Sequence, residues 1–145
     1  MIKRVEVHSW ETTDKVLVQR AQLRVLGFTE IGPYVADVPL HMEFLAFYLP
    51  PAHFYGMVFA PRDEGVPVEL CCQLSCSHGV SVTNSAAIDA WHRPPQGVFM
   101  RIPQAQVGML LRTLLDKVAG LDREAACPDT FEEDFERYRT LSVHS

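Results

Sequence analysis

The clearest periodic signal in the chain lies at residues 66–76, where apolar and polar side chains alternate. Alternation with a period of two places successive side chains on opposite faces of a β-strand. A turn at 77–79 follows, and Val80 and Val82 then alternate with polar residues. So short a connection joins only antiparallel neighbours, and the pattern therefore predicts a β-hairpin. One face of its first strand carries Val68, Leu70, Cys72, Leu74 and Cys76.

Several other segments have the character of strands. Residues 42–49 are apolar on both faces, which is typical of a central strand covered from both sides. Residues 28–38 are interrupted by Gly32 and Pro33, so we expect a strand that is bent, bulged or split there. The loop at 61–65 ends on a glycine suited to a hairpin turn. The remaining predicted strands are 2–7, 54–60 and 98–102.

The first predicted helix spans residues 14–26. Leu17, Ala21 and Val25 recur every four residues, which predicts a helix that buries this stripe. Gly27 stands where a left-handed residue commonly ends a helix. The apolar residues that widen the stripe are Val18, Leu23 and Leu26.

Two further helices are predicted near the C-terminal end, at 103–119 and from Asp129 onward. Their apolar faces are formed by Val107, Leu110, Leu111, Leu114 and Val118 in the first, and by Phe131, Phe135, Tyr138 and Leu141 in the second. The sequence therefore predicts an α+β fold, a predominantly antiparallel meander of five to six strands packed by an N-terminal helix and two C-terminal helices. We expect residues 1–145 to form a single domain, with 120–130 as a possible linker to a C-terminal docking helix.

The charge and composition of the chain limit the kinds of partner that it is expected to bind. The chain has 145 residues and a formal net charge of −5 at pH 7, which disfavours binding to the polyanionic backbone of nucleic acid. No apolar segment approaches the roughly 20 residues of a membrane-spanning helix, and the N-terminus lacks the apolar core of a signal peptide. We therefore expect no nucleic-acid or membrane partner and a cytoplasmic location. The oligomeric state is not predicted.

The cysteines are the densest group of reactive side chains. Cys71, Cys72, Cys76 and His78 lie within eight positions, but zinc sites take paired ligands from separate segments. Along a strand these side chains spread over roughly 7–13 Å, so we interpret the cysteines as small apolar residues of a reducing compartment. A cysteine nucleophile with a histidine base is the alternative. We predict no catalytic residue and no cofactor.

The order of a strand, a helix ending in Leu26-Gly27-Phe28, and several strands resembles one βαβββ module of the glyoxalase/dioxygenase (vicinal oxygen chelate) superfamily. The resemblance covers at most residues 4–70. It implies metal ligation by a histidine on the first strand and a glutamate on a late strand, which correspond here to His8 and Glu69. A metal-dependent enzyme or small-molecule-binding protein of this type is thus the alternative function.

The leading hypothesis is a non-catalytic binding protein, of the kind that bacteria use as immunity proteins, inhibitors or adaptors. Acidic surfaces suit such proteins, because complementary charge speeds association with a basic partner. The acidic candidates for contact are Asp63 and Glu64 in the 61–65 loop, and Glu133 and Glu136 in the last helix. Three aromatic or imidazole side chains are further binding candidates, namely His53, Trp91 and His92.

Overall fold

The computed structural model describes residues 2–37, 41–75, 78–85 and 97–143, with side chains described as far as residue 137. It is an α+β structure with one seven-stranded sheet and three α-helices. The strands are β1 (Ile2–Arg4), β2 (Thr29–Ala36), β3 (Met42–Leu49), β4 (Phe54–Phe59), β5 (Val68–Gln73), β6 (Gly79–Thr83) and β7 (Val98–Arg101). The helices are α1 (Asp14–Val25), α2 (Val107–Val118) and α3 (Phe131–Val143).

The strands lie in the sheet in the order in which they occur along the chain. Every pairing from β1 to β6 is antiparallel, as the short connections from β2 to β6 predict. β7, however, runs parallel to β6, so the sheet is mixed and has seven strands instead of the predicted five to six. The physical reason is the length of the connection at 84–97, because a chain must cross from one end of a sheet to the other before it can add a parallel strand.

The sheet is covered on both faces. One face packs against α1 and α2 and buries Leu45, Phe47, Val58 and Leu70. The other face carries an aromatic cluster around Phe44, which is covered by α3 through Phe131 and Phe135. The apolar character of residues 42–49 on both sides follows from this burial, because β3 is a central strand between two layers.

Helix α1 ends at the predicted position, but it buries a different face from the predicted one. Gly27 adopts a φ of 101°, and the N–H of Phe28 donates to the carbonyl of Leu23 at 3.0 Å, a Schellman cap. The buried residues of α1 are Val16 and Leu23. The predicted stripe of Leu17, Ala21 and Val25 is exposed. The prediction that this stripe would be buried is therefore wrong.

The orientation of α1 follows from its inner contacts. Arg20 reaches the Glu30 carboxylate on β2 at 3.0 Å and lies 3.8 Å from a carboxylate oxygen of Glu11. Leu23 is fully buried beside Phe28, and its carbonyl accepts the capping hydrogen bond from the N–H of Phe28. These contacts hold Val16, Leu23 and Arg20 against the sheet. The wider apolar stripe of α1 consequently faces away from the sheet.

Residues 120–130, the possible linker, run along the end of β5. The N–H of Glu124 donates to the carbonyl of Gln73 at 2.8 Å. The guanidinium of Arg123 donates to the carbonyl of Ala52 at 2.9 Å and lies over the Phe54 ring.

Among the described helices, none combines the length and the apolar character that crossing a bilayer requires.

Candidate functional site

A surface groove of about 480 Å³ runs beside α1. Its three walls are α1, the hairpin between β4 and β5, and the chain that leads into α2. Six of its fourteen lining residues have polar, uncharged side chains. They are accompanied by one ammonium group and one carboxylate. The lining residues are Lys15, Val18, Gln19, Gln22, Glu64, Gly65, Val66, Pro67, Asn84, Ser85, Pro103, Gln104, Ala105 and Gln106.

Asn84 links two walls of the groove, the hairpin that leads into β5 and the chain that leads into α2. Its side-chain oxygen accepts from the N–H of Val68 at 2.9 Å, and its amide nitrogen donates to the carbonyl of Ala105 at 3.2 Å. Its own carbonyl accepts from the N–H of Gln104 at 3.0 Å. A side-chain amide has both a donor and an acceptor, so one residue connects β5, the end of β6 and the approach to α2.

Gln104 lines the groove, and its backbone has a left-handed conformation that residues other than glycine rarely adopt. Its φ is 65°, and such a left-handed residue persists only where its surroundings hold it. The hydrogen bond from its N–H to Asn84 supplies part of that support. Residues in this conformation concentrate at functional sites, which favours a role for this part of the groove.

The groove has a charge gradient from one wall to the other. On the hairpin wall, the exposed Glu64 accepts a hydrogen bond from the Ser85 hydroxyl at 3.1 Å. On the α1 wall, Lys15 is exposed. Beside it, the buried Oε1 atom of Gln19 accepts no hydrogen bond from any described residue. A buried acceptor without a donor costs free energy, so this atom contributes nothing to the stability of α1.

The apolar stripe of α1 adjoins this groove. Val18 lines the groove and is 51% exposed, while Leu17 is 45% and Val25 86% exposed. The polar groove therefore has an apolar margin on one side, which is the mixed composition found at protein-binding surfaces.

Of the four acidic candidates, only Glu64 lies in the groove. Asp63 is exposed beside it in the hairpin turn, where Arg62 and Gly65 exchange two backbone hydrogen bonds. Glu133 is exposed on α3, whereas the carboxylate of Glu136 accepts a hydrogen bond from the N–H of Ile2.

His53 lies at a second, much smaller hollow, a cavity of about 60 Å³ beneath α3. Glu69, Tyr55 and Phe131 line it too. The Tyr55 hydroxyl donates to Asp134 at 2.6 Å, and burial together with this bond raises the pKa of Tyr55 well above its usual value. Tyr55 therefore remains a neutral donor that anchors α3. The other two candidates, Trp91 and His92, lie outside the described residues.

The structure does not bring the two metal-ligand candidates together. His8 is buried against β2 and β3, where its Nε2 atom lies 3.0 Å from the carbonyl oxygen of Tyr34 and its ring stacks on Trp10. The carboxylate nearest its other ring nitrogen is Glu43, at 3.7 Å, whereas Glu69 lies on β5 at the cavity beneath α3. No group of three potential ligands suited to a metal ion occurs among the described residues.

The cysteines are separated by the sheet. Cys72 lies in the core on the α1 and α2 side, and Cys71 packs against the aromatic cluster on the α3 side. Burial raises the pKa of Cys72 to about 11, which keeps this thiol protonated and a poor nucleophile at neutral pH. Cys76 lies outside the described residues, and His78 is exposed.

Most of the groove could not be predicted from the sequence. Its amides come from three separate segments, and a glutamine in a helix or a loop carries no periodic or motif signal of its own. The one available signal is Asn84, a residue with paired donor and acceptor directly after a predicted strand. The groove is a product of how α1 and the β4–β5 hairpin meet.

The chain matches no model of a known protein family, no curated protein and no solved structure.

Proposed function

We propose that this protein is a non-catalytic binding protein that holds a segment of a partner protein in the groove beside α1. The observation that carries the proposal is the groove itself, with its set of side-chain amides, its single exposed carboxylate and its apolar margin. Its volume of about 480 Å³ is within the range of roughly 300–1,000 Å³ typical of ligand sites.

The chemistry of the groove selects a basic and partly apolar segment. Glu64 and the neighbouring Asp63 attract a lysine or arginine, and Val18 offers an apolar contact. Side-chain amides such as Gln22 and Gln104 pair with the N–H and C=O groups of an extended backbone, which has one of each per residue. Lys15 on the opposite wall disfavours a second cation there and so sets the direction of the segment.

A role of the immunity, inhibitor or adaptor type in the cytoplasm is consistent with this site. Such proteins need a surface complementary to a partner and no reactive group of their own. The net charge of −5 supports a basic partner, since opposite charge speeds association. This assignment to a class rests on analogy with other small acidic binding proteins.

Selection of a random peptide library on the immobilised chain tests the proposal. We expect enriched peptides that combine basic and apolar residues. Binding of a recovered peptide, measured by fluorescence anisotropy, should weaken at least about tenfold in Glu64→Lys, because a like charge then faces the basic residue.

Glu133→Lys is the matched control, since it makes the same charge change at an exposed position of α3. We expect this variant to bind like the parent chain. Peptides that bind the parent and Glu64→Lys equally well, or a selection without enrichment, would contradict the proposal.

A small-molecule site beneath α3 is the second candidate, because His53 and Glu69 line the same cavity. At about 60 Å³ the cavity is far smaller than ordinary ligand sites, which favours the groove. Thermal stabilisation of the chain by a metabolite-like compound, abolished in Met57→Trp, which would fill the cavity, would support this candidate over the first.

A further inference from the structure

The apolar stripe on the outer face of α1 is unusually complete for a surface helix. Successive residues of an α-helix are rotated by about 100°, so Val18, Ala21 and Val25 lie on the side opposite the buried Val16 and Leu23. Val25 is 86% exposed, and Leu17 extends the stripe along one flank. A stripe of this width normally packs against another element.

We propose that this stripe, made of Leu17, Val18, Ala21 and Val25, is the interface of a homodimer in which α1 packs antiparallel against α1 of a second copy. In a twofold arrangement centred near Ala21, Leu17 of each copy meets Val25 of the other. Ala21, the smallest side chain of the stripe, then lies at the crossing point, where it allows the helices to approach closely.

The charges at the ends of α1 select a second copy as the occupant. Its first turn carries Asp14 and its last turn carries Arg24. Antiparallel packing places each Asp14 within reach of the partner's last turn, so that two Asp14–Arg24 pairs flank the apolar centre. A parallel pair would instead bring like charges together. The same patch therefore complements itself, as a twofold interface requires.

The dimer leaves the proposed groove open. Lys15, Gln19 and Gln22 lie on the flank of α1 that faces the β4–β5 hairpin, and only Val18 borders both surfaces. The dimer thus presents two grooves, and because it covers Leu17 and Val25, Val18 is the residue of the apolar margin that remains beside each groove. One short helix per subunit makes a small interface, for which we expect a dissociation constant on the order of 10 µM.

Sedimentation velocity of the full chain over a wide concentration range tests the proposal. We expect a reversible monomer–dimer equilibrium that Val25→Lys weakens at least about tenfold. Met109→Lys is the matched control, because Met109 is an apolar residue of α2 that is 49% exposed and lies outside the stripe. It should dimerise like the parent chain.

Exchanging the charges of Asp14 and Arg24 distinguishes this antiparallel dimer from other modes of association. Asp14→Arg and Arg24→Asp should each weaken the dimer, and the double variant should restore it. Circular dichroism melting confirms that each variant is folded, since the first change also removes a favourable charge from the helix N-terminus. A parent chain that stays monomeric, a Val25→Lys variant that dimerises normally, or a double variant without rescue overturns the proposal.

Discussion

Helices α1 and α2 lie on the same face of the sheet, yet they relate to their own sequence patterns in opposite ways. In α2 four of the five residues of the predicted stripe, Val107, Leu110, Leu114 and Val118, are fully buried, and Leu111 is half-buried. In α1 the predicted stripe is exposed, and a line of Val16 and Leu23 is buried in its place. An apolar period therefore indicates that a helix forms and that it has an apolar face, but the contacts around the helix decide which face meets the sheet.

The difference between the two helices has a physical cause. Most of the apolar residues of α2 occupy one face, so a single orientation over β5 and β6 buries Val107, Leu110, Leu114 and Val118 and leaves Met109 and Leu115 exposed. In α1 apolar residues occur on two faces. Arg20, which pairs with Glu11 and Glu30, and the cap at Gly27 then select between them.

The largest expected contrast is between a leucine on each helix. Leu114→Ala should lower the free energy of unfolding by about 2–5 kcal/mol, because it opens a cavity at a fully buried position. Leu17→Ala, at a position 45% exposed, should cost less than about 0.5 kcal/mol. Urea unfolding in dilute solution measures both, and a similar loss in the two variants would refute the orientation of α1.

The inner face of α1 provides the next contrast. Arg20→Met should destabilise the chain by about 1–3 kcal/mol, because it leaves the carboxylates of Glu11 and Glu30 without their cation in a half-buried site. Arg24→Met removes the same group from an exposed position of the same helix and should have almost no effect. Equal losses in thermal unfolding would show that Arg20 does not orient the helix.

Helix α3 extends the comparison to a helix held by a polar anchor. Tyr55→Phe removes the hydrogen bond to Asp134 and should cost about 1 kcal/mol at neutral pH. Burial raises the pKa of Tyr55 in the folded chain, so the folded state keeps this proton after the unfolded state has lost it. The contribution is therefore present below about pH 10 and lost as the pH rises above it.

Urea unfolding at a series of alkaline pH values measures this effect. The difference in stability between the parent chain and Tyr55→Phe should shrink, and then reverse, as the pH rises above about 10. A difference that stays constant over that range would contradict the role assigned to Tyr55.

The smallest effect is expected from a valine-to-alanine change in α1, and the same change in α2 should alter the stability in the opposite direction. Val25→Ala should raise the stability of the chain by about 0.3–0.5 kcal/mol, because alanine has the higher helix propensity and almost no packing is lost at this exposed position. Val118→Ala, at a fully buried position of α2, should lower it. Destabilisation by both changes in thermal unfolding of the dilute monomer would indicate that Val25 packs within its own chain.

The parts of the fold that were predicted correctly depend on neighbouring residues. The alternation at 66–76 and the turn before Val80 predict the β5–β6 hairpin, and Gly27 predicts the end of α1. The two candidate metal ligands, His8 and Glu69, rest on a family resemblance and lie in different surroundings. Glu64 was chosen for its charge, and its position in the groove depends on Ser85 and α1, which are distant in sequence.

Local periodicity and short connections are sufficient to predict the helices, most of the strands and the antiparallel direction of neighbouring strands from β2 to β6. The tertiary structure sets the parallel pairing of β7 with β6, since the connection at 84–97 is long enough to allow either direction. It also decided which face of α1 is buried and hence where the groove and the exposed stripe lie. These outcomes depend on contacts between distant residues, which no local pattern encodes.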